Sequence, residues 1–382
     1  MRRIFTLIFL LTTVSVIAKP HAVNFQKVVI DTRFVAEGAC VGDVNHDGKL
    51  DIMAGNIWYE APSWTPHEIA PYQKFDPEHA YSNAFICFAS DVNSDGWVDE
   101  IVVGFPGEKA VWRENPKGQA GPWKEHFIFR SACNESPNFA DVLGNKKPVL
   151  VMGYDDSLVA WLEPDKDPNS EWLCHTVSEK GQPGGNRFSH GLGVGDINSD
   201  GRADIMTTGG WWEAPVDPRK SPWTYHPANL GQDCANMIVY DVNGDGVPDV
   251  LSSSAHNYGV WCHEQKKGVN GPEFTEHLID KSISETHAIM LSDLNGDGTM
   301  DLITGKRFWA HGPTGDPGAG EPAMLVWYEL QRKPGKQVEW VKHVIDEDSG
   351  VGTQFSVVDM NKDGKPDIII SNKKGVSLFL QK

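Results

Sequence analysis

Short apolar runs, separated by turn clusters rich in Asp, Asn, Gly and Pro, recur from residue 25 to the C-terminus. Runs of this length with alternating polar positions predict strands, and the regular turns between them predict an all-β chain. The runs follow a fixed order. An aspartate loop comes first, then a short apolar run. A tryptophan strand follows (IWYEAP, VWRENP, AWLEP, WWEAP, VWCHE, VWYEL), and then a strand carrying a histidine (PHEIA, EHFIF, CHTVS, YHPAN, EHLID, KHVID). Each repeat therefore supplies four short strands, the signature of one propeller blade, and seven repeats predict seven blades. The last repeat ends at GVSLFLQK without its fourth strand, while FQKVVID at residues 25–31 is a fourth strand without a blade. Pairing the two closes the ring and removes an open sheet edge. A single seven-bladed β-propeller over residues 25–382 is expected.

The aspartate loops follow the pattern DxNxDGxxD, with side-chain oxygens at positions 1, 3, 5 and 9 and a glycine at 6 for the sharp turn. Hard oxygen donors at this spacing suit calcium. Six loops are intact, and the expected ligands are Asp43, Asn45, Asp47 and Asp51; Asp91, Asn93, Asp95 and Asp99; Asp196, Asn198, Asp200 and Asp204; Asp241, Asn243, Asp245 and Asp249; Asp293, Asn295, Asp297 and Asp301; and Asp359, Asn361, Asp363 and Asp367. A further loop from Asp141 lacks the later carboxylates and carries Lys146 and Lys147, so no ion is expected there. The 18 aspartates of the intact loops equal in number the formal net charge of −18, which makes the acidity a metal-loop feature. Nucleic acid is excluded as a partner held by bulk electrostatics.

These loops and their placement resemble the FG-GAP or VCBS repeat family of secreted propellers. The resemblance implies the seven-bladed fold and up to six structural calcium ions. It does not by itself imply a function.

The repeat also sorts the 14 histidines. His67, His126, His175, His226, His277 and His343 hold one outer-strand position in six repeats, which predicts a structural role. Six residues before each loop stand Glu37, Phe85, Glu135, His190, Ala235, His287 and Thr353, one per repeat, at the entry of each innermost strand. Equal register predicts equal height on the central channel. Buried charges facing a shared axis are costly unless paired or coordinating, so Glu37, Glu135, His190 and His287 are expected to hold zinc or another divalent metal. Two long connections bring His79, Tyr81 and Arg187 to the same face. Second-to-third strand turns add Trp211, His256, Tyr258, Lys306 and Arg307, and the expanded stretch 306–322 adds Trp309 and His311 and reads as a lid.

A metal, aromatic walls and loose His, Tyr and Arg groups fit carbohydrate elimination: the metal acidifies the C–H beside a carbonyl, and a base removes the proton. The plan resembles the propeller of aldos-2-ulose dehydratase-type enzymes. That resemblance implies a lyase acting on keto sugars or 3-keto glycosides, by β-elimination or reverse hydration. His190 and His287 would then be ligands with Glu37 or Glu135, and His79 the base with His256 as runner-up. Tyr81 and Arg187 complete the expected catalytic set, and Trp211, Tyr258, Lys306, Arg307 and Trp309 the expected substrate contacts. Two other readings are a uronate polysaccharide lyase using Arg neutralisation and a non-catalytic carbohydrate- or protein-binding propeller. Arg2 and Arg3 before an apolar run ending at Val16-Ile17-Ala18 predict a signal peptide over residues 1–18, hence a secreted or periplasmic protein without stable membrane insertion. The six cysteines are expected to be buried free thiols. Oligomeric state leaves no mark in the sequence.

Overall fold

The computed structural model describes residues 22–269 and 271–382; the expected signal peptide lies outside the described residues. Among the described residues there is no helix, and none therefore long and apolar enough to cross a membrane. The chain is an all-β propeller. Five of its sheets are separate and four-stranded, and the remaining eight strands form one sheet. Seven separate sheets are thus not what the strands build. Leu192–Gly195 and Asn236–Tyr240 are both innermost strands, and they pair in parallel through Leu192↔Asn236 and Gly193↔Met237. Glycine permits this approach: a Cβ at Gly193 would stand 2.5 Å from the Met237 carbonyl oxygen. Each half of the fused sheet keeps its own antiparallel order of four strands.

The ring closes as the sequence predicts. Phe25–Asp31 pairs antiparallel with Gly375–Gln381, from Phe25↔Gln381 to Asp31↔Val376. Innermost strands of the last and first repeats also meet, where Ser356 Oγ donates to the Ala39 carbonyl at 2.8 Å. Core side chains lie between neighbouring sheets. Trp112, Leu150 and Leu162 share one cluster and Trp161, Ile205 and Trp212 another. Full burial of such a side chain contributes about 1.5–3 kcal/mol, which makes the inter-sheet layers the main source of stability. All six cysteines are free, five of them buried.

The outer-strand histidines are structural, and the reason is visible in cross-strand pairs. His67, His126, His175, His226 and His343 stack on Trp58, Trp112, Trp161, Trp211 and Trp327, with ring centroids 4.0–4.3 Å apart. Each also bonds through Nε2 to the glutamate two residues past its tryptophan, as His126 does to Glu114 at 2.8 Å. Trp211 is accordingly buried against His226, which corrects its expected place on a substrate wall.

In the aspartate loops, position 1 gathers backbone N–H groups; Asp91 accepts from Asp95 and Gly96, and Asp241 from Gly244, Asp245 and Gly246. The loop from Asp141 makes the same turn without the later acids, its Asn145 and Lys146 amides bonding to Asp141. This turn therefore forms from Asp141 and the Asn145 side chain, which accepts the Lys147 amide at 2.9 Å, without the later carboxylates. Position 9 differs from expectation in what it faces. In Asp51, Asp99, Asp204, Asp249, Asp301 and Asp367 one carboxylate oxygen accepts the N–H of loop position 2, and the other accepts an N–H at the end of the third strand. These six buried carboxylates tie loop to sheet.

Candidate functional site

The ring of residues at the strand entries exists. Glu37, Phe85, Glu135, Ala235, His287 and Thr353 are buried, with His190 at its edge. Thr353 links two of its neighbours by donating its backbone N–H to the Glu37 carbonyl at 2.8 Å and its hydroxyl to the Phe85 carbonyl.

Arg307 occupies the centre. Its Nη2 donates to Glu37 Oε2 at 3.0 Å and its Nη1 to Glu135 Oε2 at 3.2 Å, and its guanidinium lies 5.0 Å from the Phe85 ring. A residue expected to meet substrate is instead the internal counter-ion of the channel, only 3% exposed. Glu37 stands apart from the expected metal set, because the potential ligand atoms that gather are those of Glu135, His190 and His287. Burial pushes the Glu37 carboxyl up to about 7 despite Arg307 and Lys373. Burial also pushes Glu135 up, but hydrogen bonds from His190 and His287, with Arg307, outweigh it and hold that carboxyl well below the usual range.

Around Glu135 the histidines converge. Glu135 Oε2 lies 3.3 Å from His287 Nε2 and 3.4 Å from His190 Nε2. His256 joins them, its Nε2 only 2.9 Å from His190 Nε2. His190 Nδ1 donates to the Phe188 carbonyl at 2.7 Å, so a neutral His190 turns its Nε2 lone pair toward His256, and only its imidazolium donates from Nε2 to Glu135. His256 Nδ1 is buried without a hydrogen bond, 3.6 Å from Asp316 Oδ1. Either neutral tautomer of His256 then sets two electron pairs face to face, at Nε2 against His190 or at Nδ1 against Asp316. A proton on His190 or a metal ion beside the two rings removes the conflict. On the other two imidazoles a proton is disfavoured: burial and His190 pull His256 down to about 4, and burial and Arg307 pull His287 down to about 3.

The stretch 306–322 covers this group. Lys306 Nζ donates to the carbonyls of Gly318 and Glu321, Trp309 Nε1 to that of Ala319, and Tyr258 hydroxyl to Glu321 Oε1 at 2.7 Å. Lys306, Trp309 and Tyr258 thus brace the lid, where sugar contacts were expected. Tyr81 does the same from the neighbouring connection, donating to the Ala310 carbonyl at 2.7 Å. Arg187 is spent on Asp156, with bonds of 3.0 and 2.8 Å. His79 is exposed and bonded to Asp76 at 3.0 Å. The structure brings in two lid residues outside the expected catalytic and metal sets. His311 stacks on His256 with centroids 4.6 Å apart, and its Nδ1 is held by Asp316 at 3.0 Å. The extra length of 306–322 was the signal for them. The large clefts, near 690 and 720 Å³, lie elsewhere, beside Trp58 and Trp123 and beside Lys146 and Trp172.

Comparison with known proteins agrees with the architecture. Residues 241–304 match the family model described as FG-GAP-like repeat. No curated protein matches at a significant level. A chain of the mitotic checkpoint complex is similar over 100% of this chain and 99% of its own, with 9% identity and a TM-score of 0.52. The BBS1N structure in complex with ARL6DN covers 93% of this chain and 94% of its own, at 10% identity and a TM-score of 0.53. An Agrocybe aegerita lectin recognising non-reducing terminal N-acetylglucosamine covers 94% and 86%, at 16% identity and a TM-score of 0.49. For the two structures with TM-scores of 0.52 and 0.53, identities this low speak to fold alone.

Proposed function

We propose that the channel mouth is a divalent metal centre, and that the protein is a metal-dependent carbohydrate lyase of the dehydratase type. The observation that carries this reading is the 2.9 Å approach of His190 Nε2 to His256 Nε2 while His190 Nδ1 is committed elsewhere. Glu135, His190 and His287 form one group of potential ligands, and His256, from the adjoining group with His311 and Asp316, would add a third nitrogen to give a donor set suited to zinc. His256 replaces Glu37 in the set expected from the sequence. A bound metal would polarise a substrate carbonyl and acidify the adjacent C–H. His311, with Nδ1 fixed by Asp316, presents Nε2 as the base for that proton and displaces His79 from the role. Elimination then expels a hydroxide or alkoxide from the next carbon, and the substrate class is keto sugars or 3-keto glycosides. A uronate lyase is less well supported, because Arg187 and Arg307 are both already paired with carboxylates.

With the fused sheet counted as two halves beside the five separate sheets, there are seven four-stranded units, which is how we read the propeller. We also assign calcium to the six intact loops through positions 1, 3 and 5; Asp43 Oδ1, buried without a partner, fits such a ligand. A signal peptide would deliver the protein to the periplasm or outside the cell.

The test combines metal content with activity. Purified protein is expected to carry one zinc-class ion per chain, lost in His190→Ala and His256→Ala, and to raise enone absorbance from 1,5-anhydrofructose or a methyl 3-keto-glucoside. Metal retained in the double variant sinks the centre. Metal-loaded protein that binds sugars without turnover would instead make it a carbohydrate-binding propeller.

A further inference from the structure

Two polar groups beside Arg307 have no hydrogen-bond partner, and one of them is fully buried. Arg307 takes only Oε2 of Glu37, and Glu37 Oε1 is buried with no hydrogen bond. Lys373 sits on the turn between Asp367–Asn372 and Gly375–Gln381, 7% exposed, and among the described residues nothing accepts a hydrogen bond from it or pairs with it. Its Nζ lies 4.5 Å from the centre of the Tyr81 ring and 5.9 Å from that of Phe34. Glu37 is the strongest charge acting on it, yet the two make no ion pair within 4.0 Å. Leaving the buried acceptor Glu37 Oε1 unpaired costs on the order of 1–3 kcal/mol, more for a charged group. A group that both donates and accepts would satisfy them together.

Charge decides what that group is. Glu37 and Glu135 face Arg307 and Lys373, two negative against two positive. A ligand carboxylate would add a third negative charge beside Glu37, and it could accept from Lys373 but give Glu37 nothing. A hydroxyl donates to Glu37 and accepts from Lys373. We propose that Glu37 Oε1 and Lys373 Nζ form a hydroxyl-binding subsite of the channel mouth that selects a neutral sugar or polyol over a uronate. This rests on reading the mouth as a sugar site, and not on the metal.

The experiment is calorimetric titration of the full chain with methyl β-D-glucopyranoside and methyl β-D-glucuronide, with and without EDTA. The neutral glycoside is expected to bind at least tenfold tighter than the glucuronide. Lys373→Met should weaken it at least tenfold, and Glu37→Gln should narrow the preference by relieving repulsion of the carboxylate. Lys373→Gln, which keeps a donor, should fall between wild type and Lys373→Met, and it serves if the Met variant does not fold. Preference is expected to persist in EDTA, so loss of the metal reading would leave this result standing. Equal or tighter binding of the glucuronide, unchanged affinity in both Lys373 variants, or no binding of either glycoside overturns the subsite.

Discussion

His190 Nε2 and His256 Nε2 face each other at 2.9 Å across two repeats, from a strand entry and from a turn between strands. The pair predicts which residues matter for metal. His256→Ala should lower zinc affinity more than tenfold, by analogy with the 10–100-fold cost of losing even outer partners of a metal site. Glu37→Gln should change it little, since Glu37 belongs to Arg307. Competition against a chromophoric chelator measures both; the reverse order would restore the sequence-based ligand set.

Arg307 is predicted to be a stability residue. Arg307→Met strands Glu37 as a buried carboxylate and leaves Glu135 only its histidines, and breaking a buried pair in this way costs about 3–5 kcal/mol. Urea unfolding should show that loss, with partial recovery when Glu37→Gln is added. A loss under about 1 kcal/mol would mean that water reaches both carboxylates.

The aspartate loops separate metal from architecture. Asp249→Ala strips acceptors from the Val242 and Gln265 amides, and should cost about 2–5 kcal/mol with or without calcium. Exposed Asp245→Ala should lose only the calcium-dependent part of the stability. Unfolding in EDTA and in calcium, for both variants, tells the two apart. A wild type indifferent to calcium would remove the ion from the loops.

His263 gives a pH signature away from the channel. It is buried, bonds only to Ser252 through Nε2 at 2.9 Å, and burial with nearby His277 pulls it down to about 4. A histidine depressed in the fold stabilises above its unfolded value near 6.5 and loses that contribution as pH falls toward 4. Between pH 7.5 and 5 the loss should be about 2 kcal/mol, and His263→Gln should flatten that part of the profile. Equal slopes for the two proteins would show the buried ring to be protonated.

Local pattern determined much of this protein. Strand period and turn chemistry are short-range, so the repeat, the strand order, the aspartate turns and the closure by residues 25–31 were legible. The register rule also placed Glu37, Glu135, His190 and His287 on one ring, because side chains at equal positions in equal strands point alike. Contacts between different repeats were not legible. Nothing in KRFWAHGPTGDPGAGEP says that Arg307 enters the channel while Lys306 stays with the lid, or that Asp316 reaches His256. Those outcomes depend on which carboxylates stand opposite across the axis, and on glycines such as Gly193 that let two sheets fuse. Sequence set the height of each group. Packing around the channel decided its partner.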